Sequence, residues 1–169
     1  MMLSRKVLCR TLIAVLVLST ANVFAGDEAP YKIQAAIFAK IIGFNKGLTG
    51  DIKIYVMGSA DMKKYLSKGI GKKSGKGVIK SVESGSAIPG DKPSVIYIDK
   101  SISNVADVLA YCAANGVMSI TGSPDYVTQG ASLGVKLVGG KPKILLGTKG
   151  TKAEKIKWSP VIFKLALKI

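Results

Sequence analysis

Few residues in this chain are equipped for chemistry, and their types restrict what that chemistry would be. Its 169 residues include no histidine. That removes the ordinary Ser-His and Cys-His pairings, and histidine as a metal ligand. Serine activated by lysine remains, with Ser67-Lys68, Lys73-Ser74 and Ser101 as candidates, but none sits in a recognisable catalytic frame. Carboxylates are dispersed at Asp51, Asp61, Glu83, Asp91, Asp99, Asp107, Asp125 and Glu154. A general acid–base pair would therefore have to be assembled by the fold. The expectation is a protein with no catalytic residues, no metal and no cofactor. A secreted enzyme using lysine and a carboxylate stands as the third of three readings.

Gly69-Ile-Gly-Lys-Lys-Ser-Gly-Lys-Gly77 combines glycine-rich backbone with lysine, the ingredients of a phosphate cradle. A P-loop requires Ser or Thr after its Gly-Lys. Here Gly75-Lys76 is followed by Gly77, so the segment reads as a solvated, flexible basic loop. Cys112 is the only cysteine outside the first 25 residues, so no intramolecular disulfide is expected there. Its apolar helical surroundings suggest a small buried residue.

The opening residues point to export. Arg5, Lys6 and Arg10 precede or flank the apolar run Leu12–Leu18, and Val23-Phe24-Ala25 supplies a small-x-small cleavage pattern. Together these make a secretory signal peptide over residues 1–25. The run is well short of the ~18 apolar residues a membrane anchor needs. Loss of the leader would remove three of 25 basic residues and no acid, leaving 22 lysines against ten acids, a net charge of +12. Both arginines would leave with it. The lysine excess suits an acidic partner or an anionic membrane surface. Nucleic acid is disfavoured, since arginine is the residue best suited to bidentate base and phosphate contacts.

Residues 26–169 read as one α/β domain, a mixed β-sheet covered by helices on both faces. Tyr31–Phe44 is a helix apolar on most sides, after Asp27, Glu28 and Pro30. Asp51–Met57 is a strand, and Ala60–Leu66 a short helix capped by Ser59. A strand is expected near Val78–Val82, and a turn-rich stretch over Ser84–Pro93. Val95–Ile98 lacks polar alternation, as a strand covered on both faces does. Ser101–Ala114 is a helix stopped by Asn115-Gly116, and Val117–Ile120 a further buried strand. After a loop over Thr121–Ala131, Ser132–Val138 and Lys143–Leu146 form a hairpin through Gly139-Gly140, with Lys141-Pro142 lengthening its turn. Thr151–Glu154 is a capping box, and Ser159-Pro160 opens a final helix to the C-terminus.

Two segments resemble the YfiR-like family of periplasmic proteins. Ile33-Gln-Ala-Ala-Ile-Phe-Ala-Lys-Ile-Ile42 resembles the family's opening Lys-Ala-Ala-aromatic helix. In the C-terminal half, Gly116-Val-Met-Ser-Ile120, Tyr126-Val-Thr-Gln-Gly130 and Ile162-Phe-Lys-Leu-Ala166 resemble a strand, an aromatic-to-Gly-Gly loop and a closing helix. Val95–Ile98 takes the place of the central strand. Gly43-Phe44-Asn45 replaces the usual Trp-Pro, Ala131 the second loop glycine, and Gly147 an Asn.

The resemblance implies a non-enzymatic periplasmic α/β protein that can dimerise. It further implies repression of an inner-membrane diguanylate cyclase through its periplasmic region, which lowers cyclic-di-GMP and restrains biofilm formation. The first expectation is accordingly a regulator docking on an inner-membrane sensor of diguanylate cyclase or kinase type. Phe38, Ile42 and Phe44 are its expected contact residues. The second is a small-ligand-binding envelope protein with a pocket near Tyr126 and Gly130.

Overall fold

Apolar alternation in the strand segments, and helix signals between them, set the order of elements in the computed structural model, which describes residues 28–169. The expected leader over residues 1–25 lies outside the described residues. The order is α1 (Tyr31–Ile41) extended by a 3-10 turn (Ile42–Phe44), β1 (Thr49–Met57), α2 (Ala60–Ser67), β2 (Lys73–Ser74), β3 (Lys76–Gly85) and β4 (Val95–Ile98). Then come α3 (Val105–Asn115), β5 (Met118–Thr121), α4 (Pro124–Gln129), β6 (Leu133–Val138), β7 (Lys141–Leu146), α5 (Thr148–Ala153), α6 (Ile162–Leu165) and β8 (Ala166–Lys168). One sheet holds all eight strands in the order β2-β3-β1-β4-β5-β6-β7-β8. From β3 to β6 the pairing is parallel; β2 and β7 run antiparallel to β3 and β6, and β8 runs parallel to β7.

Side-chain alternation splits the interior into two cores, because successive residues of a strand face opposite sides. Ile52, Ile54 and Val56 of β1 and Val95 and Tyr97 of β4 face the side where α1 and α2 pack. Met57, Ile96 and Ile98 face Val105, Val108 and Cys112 of α3. A mixed sheet with helices on both faces is the architecture the sequence predicts. Cys112 is fully buried, as its surroundings suggest. Ser59 also behaves as expected: its Oγ accepts from the Met62 backbone at 3.1 Å, a cap worth ~1 kcal/mol.

Other expectations are corrected. Gly139 and Gly140 have φ of 56° and 74°, the two left-handed positions that a two-residue hairpin turn requires. Val138 therefore pairs directly with Lys141, and Lys141-Pro142 belong to β7 rather than to a longer turn. The Thr121–Ala131 loop contains α4, opened by Pro124 at a position where its missing N–H costs nothing. The helix expected from Ser101 starts at Val105, because the Asp99 carboxylate and carbonyl accept from the Ser101 and Ile102 N–H groups and hold a turn there. No capping box forms at Thr151: that residue lies inside α5, and Glu154 ends the helix and turns inward. The basic segment Gly69–Gly77 is largely an ordered hairpin edge, with Ser74 buried. The final helix shrinks to α6, after which the chain becomes β8 and fills the free edge of β7.

Candidate functional site

In an open parallel sheet, the crevice outside the strand carboxyl ends at a topological switch point is the usual place for a ligand. The chain leaves β1 for β3 on one side and β4 on the other, which puts that point beside Met57-Gly58 and Ile98-Asp99. Asp99 is only 4% exposed. One carboxylate oxygen accepts from the Tyr31 hydroxyl at 2.6 Å, the other from the Ser101 N–H at 3.0 Å. Burial, then the hydrogen bond to Asp99, raises the Tyr31 phenol above its ordinary range. Lys100 and Glu28 form an ion pair at 2.9 Å alongside. These groups are satisfied by one another and latch the start of α1 to the sheet.

Tyr126 and Gly130 both brace the backbone around α4. The Tyr126 hydroxyl lies 2.8 Å from the Ile102 carbonyl and 3.0 Å from that of Lys100. Gly130 ends α4 with φ of 135°, and a Cβ on Gly150 would overlap its carbonyl. None of the three clefts described below includes either residue.

The serine candidates are spent on backbone carbonyls: Ser67 donates to Lys63 at 2.8 Å, Ser74 to Ala39 at 2.7 Å and Ser101 to Gly58 at 3.4 Å. The fold does gather one polar cluster that sequence spacing hides. Glu154, 3% exposed, accepts from both the backbone and the hydroxyl of Ser119, and the Ser132 hydroxyl donates to the Ser119 carbonyl at 2.8 Å. Burial pushes Glu154 up to about 7, against the opposing hydrogen bonds from Ser119. The Cys112 thiol is pushed up too, first by burial and then by the Glu154 charge, so it is protonated and unreactive.

Of the three expected contact residues, two lie in the core. Phe38 and Ile42 are both 0% exposed, with Phe38 edge-on to Tyr97 at 5.9 Å between ring centroids. Burying the apolar side of α1 on the sheet is what holds the helix. Phe44 is half-buried against the same core.

Ile33 of α1, Ile70 and Val138 are exposed singly, and the other exposed large apolar side chains cluster at the C-terminal end of the chain. Phe163, Leu165, Leu167 and Ile169 are each between 44% and 51% exposed, with Val161 beside them. They alternate with Lys164, Ala166 and Lys168, and that period of two is the signal the sequence carried for a strand. β8 pairs with β7 alone, and among the described residues nothing pairs its outer edge. Next to it lies a cleft of about 360 Å³ lined by Phe163, Ile156, Lys152, Lys155 and Lys168, with the Lys168 ammonium 4.8 Å from the Phe163 ring centroid. Two further clefts are a polar one of about 280 Å³ between Tyr55 and the Ile88–Pro93 turns, and one of about 460 Å³ between α1 and α2.

The chain matches the YfiR/HmsC-like family over residues 31–167. No curated protein matches it in sequence. Among solved structures it is similar to an ABC domain from Streptococcus pneumonia in complex with L-Trp, with a TM-score of 0.55 and 13% identity. The match covers 82% of this chain and 61% of that one, and at this identity it shows the fold alone. Among the described residues no helix is long and apolar enough to cross a membrane.

Proposed function

The chain belongs to the YfiR/HmsC-like family, and from that premise we propose that it is a periplasmic regulatory binding protein acting without chemistry. It docks on the periplasmic region of an inner-membrane diguanylate cyclase and holds it inactive. The observation that supports a docking role is the open apolar edge at β8. β8 is only three residues long, but its outer backbone groups are unpaired among the described residues, and native proteins normally blunt an apolar edge that has no partner. Addition of a partner strand would satisfy the free backbone groups of β8 and cover its alternating side chains. Full burial of a Leu or Phe is worth ~1.5–3 kcal/mol, so covering these half-exposed side chains contributes about half of that each. Inhibition follows if β8 fits only the inactive sensor conformation, because a ligand shifts an equilibrium by its differential affinity alone.

The lysines around the edge indicate the partner's chemistry. Lys164, in α6, and Lys168, in β8, flank this edge, and a second copy would bring the same like charges to it. A strand carrying acids suits this edge better than a second copy does. The net positive charge would also favour residence near an anionic membrane face. Cyclic-di-GMP in cells lacking the protein tests the reading. Its level should rise on deletion and be restored by the wild-type chain but not by a Leu165→Lys/Leu167→Lys variant that is exported and folded. An unchanged level on deletion would overturn the regulatory role, and full rescue by the variant would overturn the surface.

A further inference from the structure

A second surface, remote in sequence from β8, has a different composition. α1 presents two parallel rows at helical spacing. Ala35 and Ala39 lie four residues apart, as do Lys32, Ala36 and Lys40. Three alanines where larger residues would close the gap leave a trough against α2, with a volume of about 460 Å³. Leu66 and Ile79 form its buried base, and Tyr65 stands on the far wall. Lys68, whose ammonium lies 5.2 Å from the Tyr65 ring centroid, joins Lys72 and Lys73 on that rim.

Five lysines therefore surround an apolar floor, and no carboxylate lines it. Among the described residues the one ion pair is Lys100–Glu28, so none of the five lysines is paired with a described carboxylate. Clustered ammonium groups beside a low-dielectric floor attract a counter-charge that brings apolar surface with it. The size selects further. The volume lies in the ~300–1,000 Å³ range of small-molecule sites, whereas a stable protein interface needs roughly 1,000 Å² of buried surface.

We infer that the α1–α2 groove is a binding site for a single-chain fatty carboxylate, its alkyl chain along Ala35, Ala36 and Ala39 and its head among Lys40, Lys72 and Lys73. Lysine is a point charge with rotatable donors, which suits a carboxylate at the end of a mobile chain. The site lies away from β8, so the proposal stands independently of the docking role.

Calorimetric titration of the mature protein with laurate, below its micellar concentration and at physiological salt, tests this. The expected result is saturable binding of one laurate. Ala36→Trp, at an exposed position, fills the trough and should weaken binding about tenfold or more. Lys40→Gln/Lys72→Gln should do the same, with unchanged thermal unfolding in both variants. Absence of saturable binding would overturn the proposal, as would binding that Ala36→Trp leaves unchanged. Equal affinity for acetate would reduce the groove to an anion site, and equal affinity for dodecyl maltoside would reduce it to an apolar one. Tighter binding of a lauroyl lysophospholipid would replace the free acid by a membrane lipid. Capture of an acidic protein segment by a photocrosslinker at Ala36 would replace it by a protein partner. Each of these four results contradicts the assignment.

Discussion

The two edges of the sheet are both short, and they differ in what covers them. At the β2 edge the strand is two residues long, and Lys73 faces outward. Ser74 is buried, with its hydroxyl donating to the Ala39 carbonyl of α1. Gly43 and Gly75 approach so closely that a Cβ on either would overlap the other's backbone. This edge is short, charged and covered, three of the devices by which proteins discourage strand addition. The β8 edge is also short and carries Lys168, but among the described residues nothing covers its outer side. Leu167 stays half-exposed on a three-residue strand held on one side only, with Phe163 and Leu165 of α6 and Ile169 half-exposed beside it. A chain that protects one edge and leaves the other apolar is consistent with an edge kept for a partner.

Four perturbations break or sharpen that contrast. The largest effect is expected in the shared core, where Phe38→Ala should cost ~3–5 kcal/mol by denaturant unfolding, while Phe163→Ala at the open edge should cost much less. If the two proved equal, the burial contrast between α1 and the C-terminal segment would be wrong.

Next comes the pH response. Glu154 ties α5 to β5 and to the start of β6, on the β8 half of the sheet. Its folded pKa of about 7 lies above the ordinary 4.5. The folded state therefore holds the extra proton between those values, and stability is greatest below pH 4.5 and falls as pH rises through 7. The loss is roughly 3 kcal/mol, and Glu154→Gln should flatten it. Hydrogen exchange at pH 5 and pH 8 should show the loss of protection concentrated in β5–β8, with β2 and β3 less affected.

The third perturbation opens the protected edge. Gly75 has φ of 62°, so Gly75→Ala should cost ~1–3 kcal/mol from backbone strain alone, with the Gly43 overlap adding to it. Chemical denaturation measures this, and a neutral result would mean that the Gly43–Gly75 approach does not hold the edge. The smallest stability effect is expected at the open edge. Leu167→Lys should change stability by no more than about 0.5 kcal/mol, yet weaken partner binding about tenfold or more.

Much of this was legible in the sequence. The strand Val95–Ile98, the Ser59 cap and the Asn115-Gly116 helix stop rest on local chemistry and appear where local chemistry put them. The proposed contact surface was not legible. A helix apolar on most sides reads alike whether it packs on a sheet or on a partner, and Phe38 and Ile42 are buried because α1 lies across β1 and β4. At the C-terminus a period-two pattern was present, but Ser159-Pro160 is an equally good helix start, and only the free edge of β7 decides between them. Glu154 was masked by a plausible capping box, since its partner Ser119 lies 35 residues away in sequence.

The central claim, that the β8 edge is the docking edge, is tested most directly by placing a photocrosslinking residue in living cells at Leu167 and, separately, at Lys73. The account predicts an adduct at Leu167 containing a membrane protein with a cytoplasmic diguanylate cyclase domain, and no such adduct at Lys73. The same adduct at Lys73 but not at Leu167, or only a self-adduct at Leu167, would contradict it.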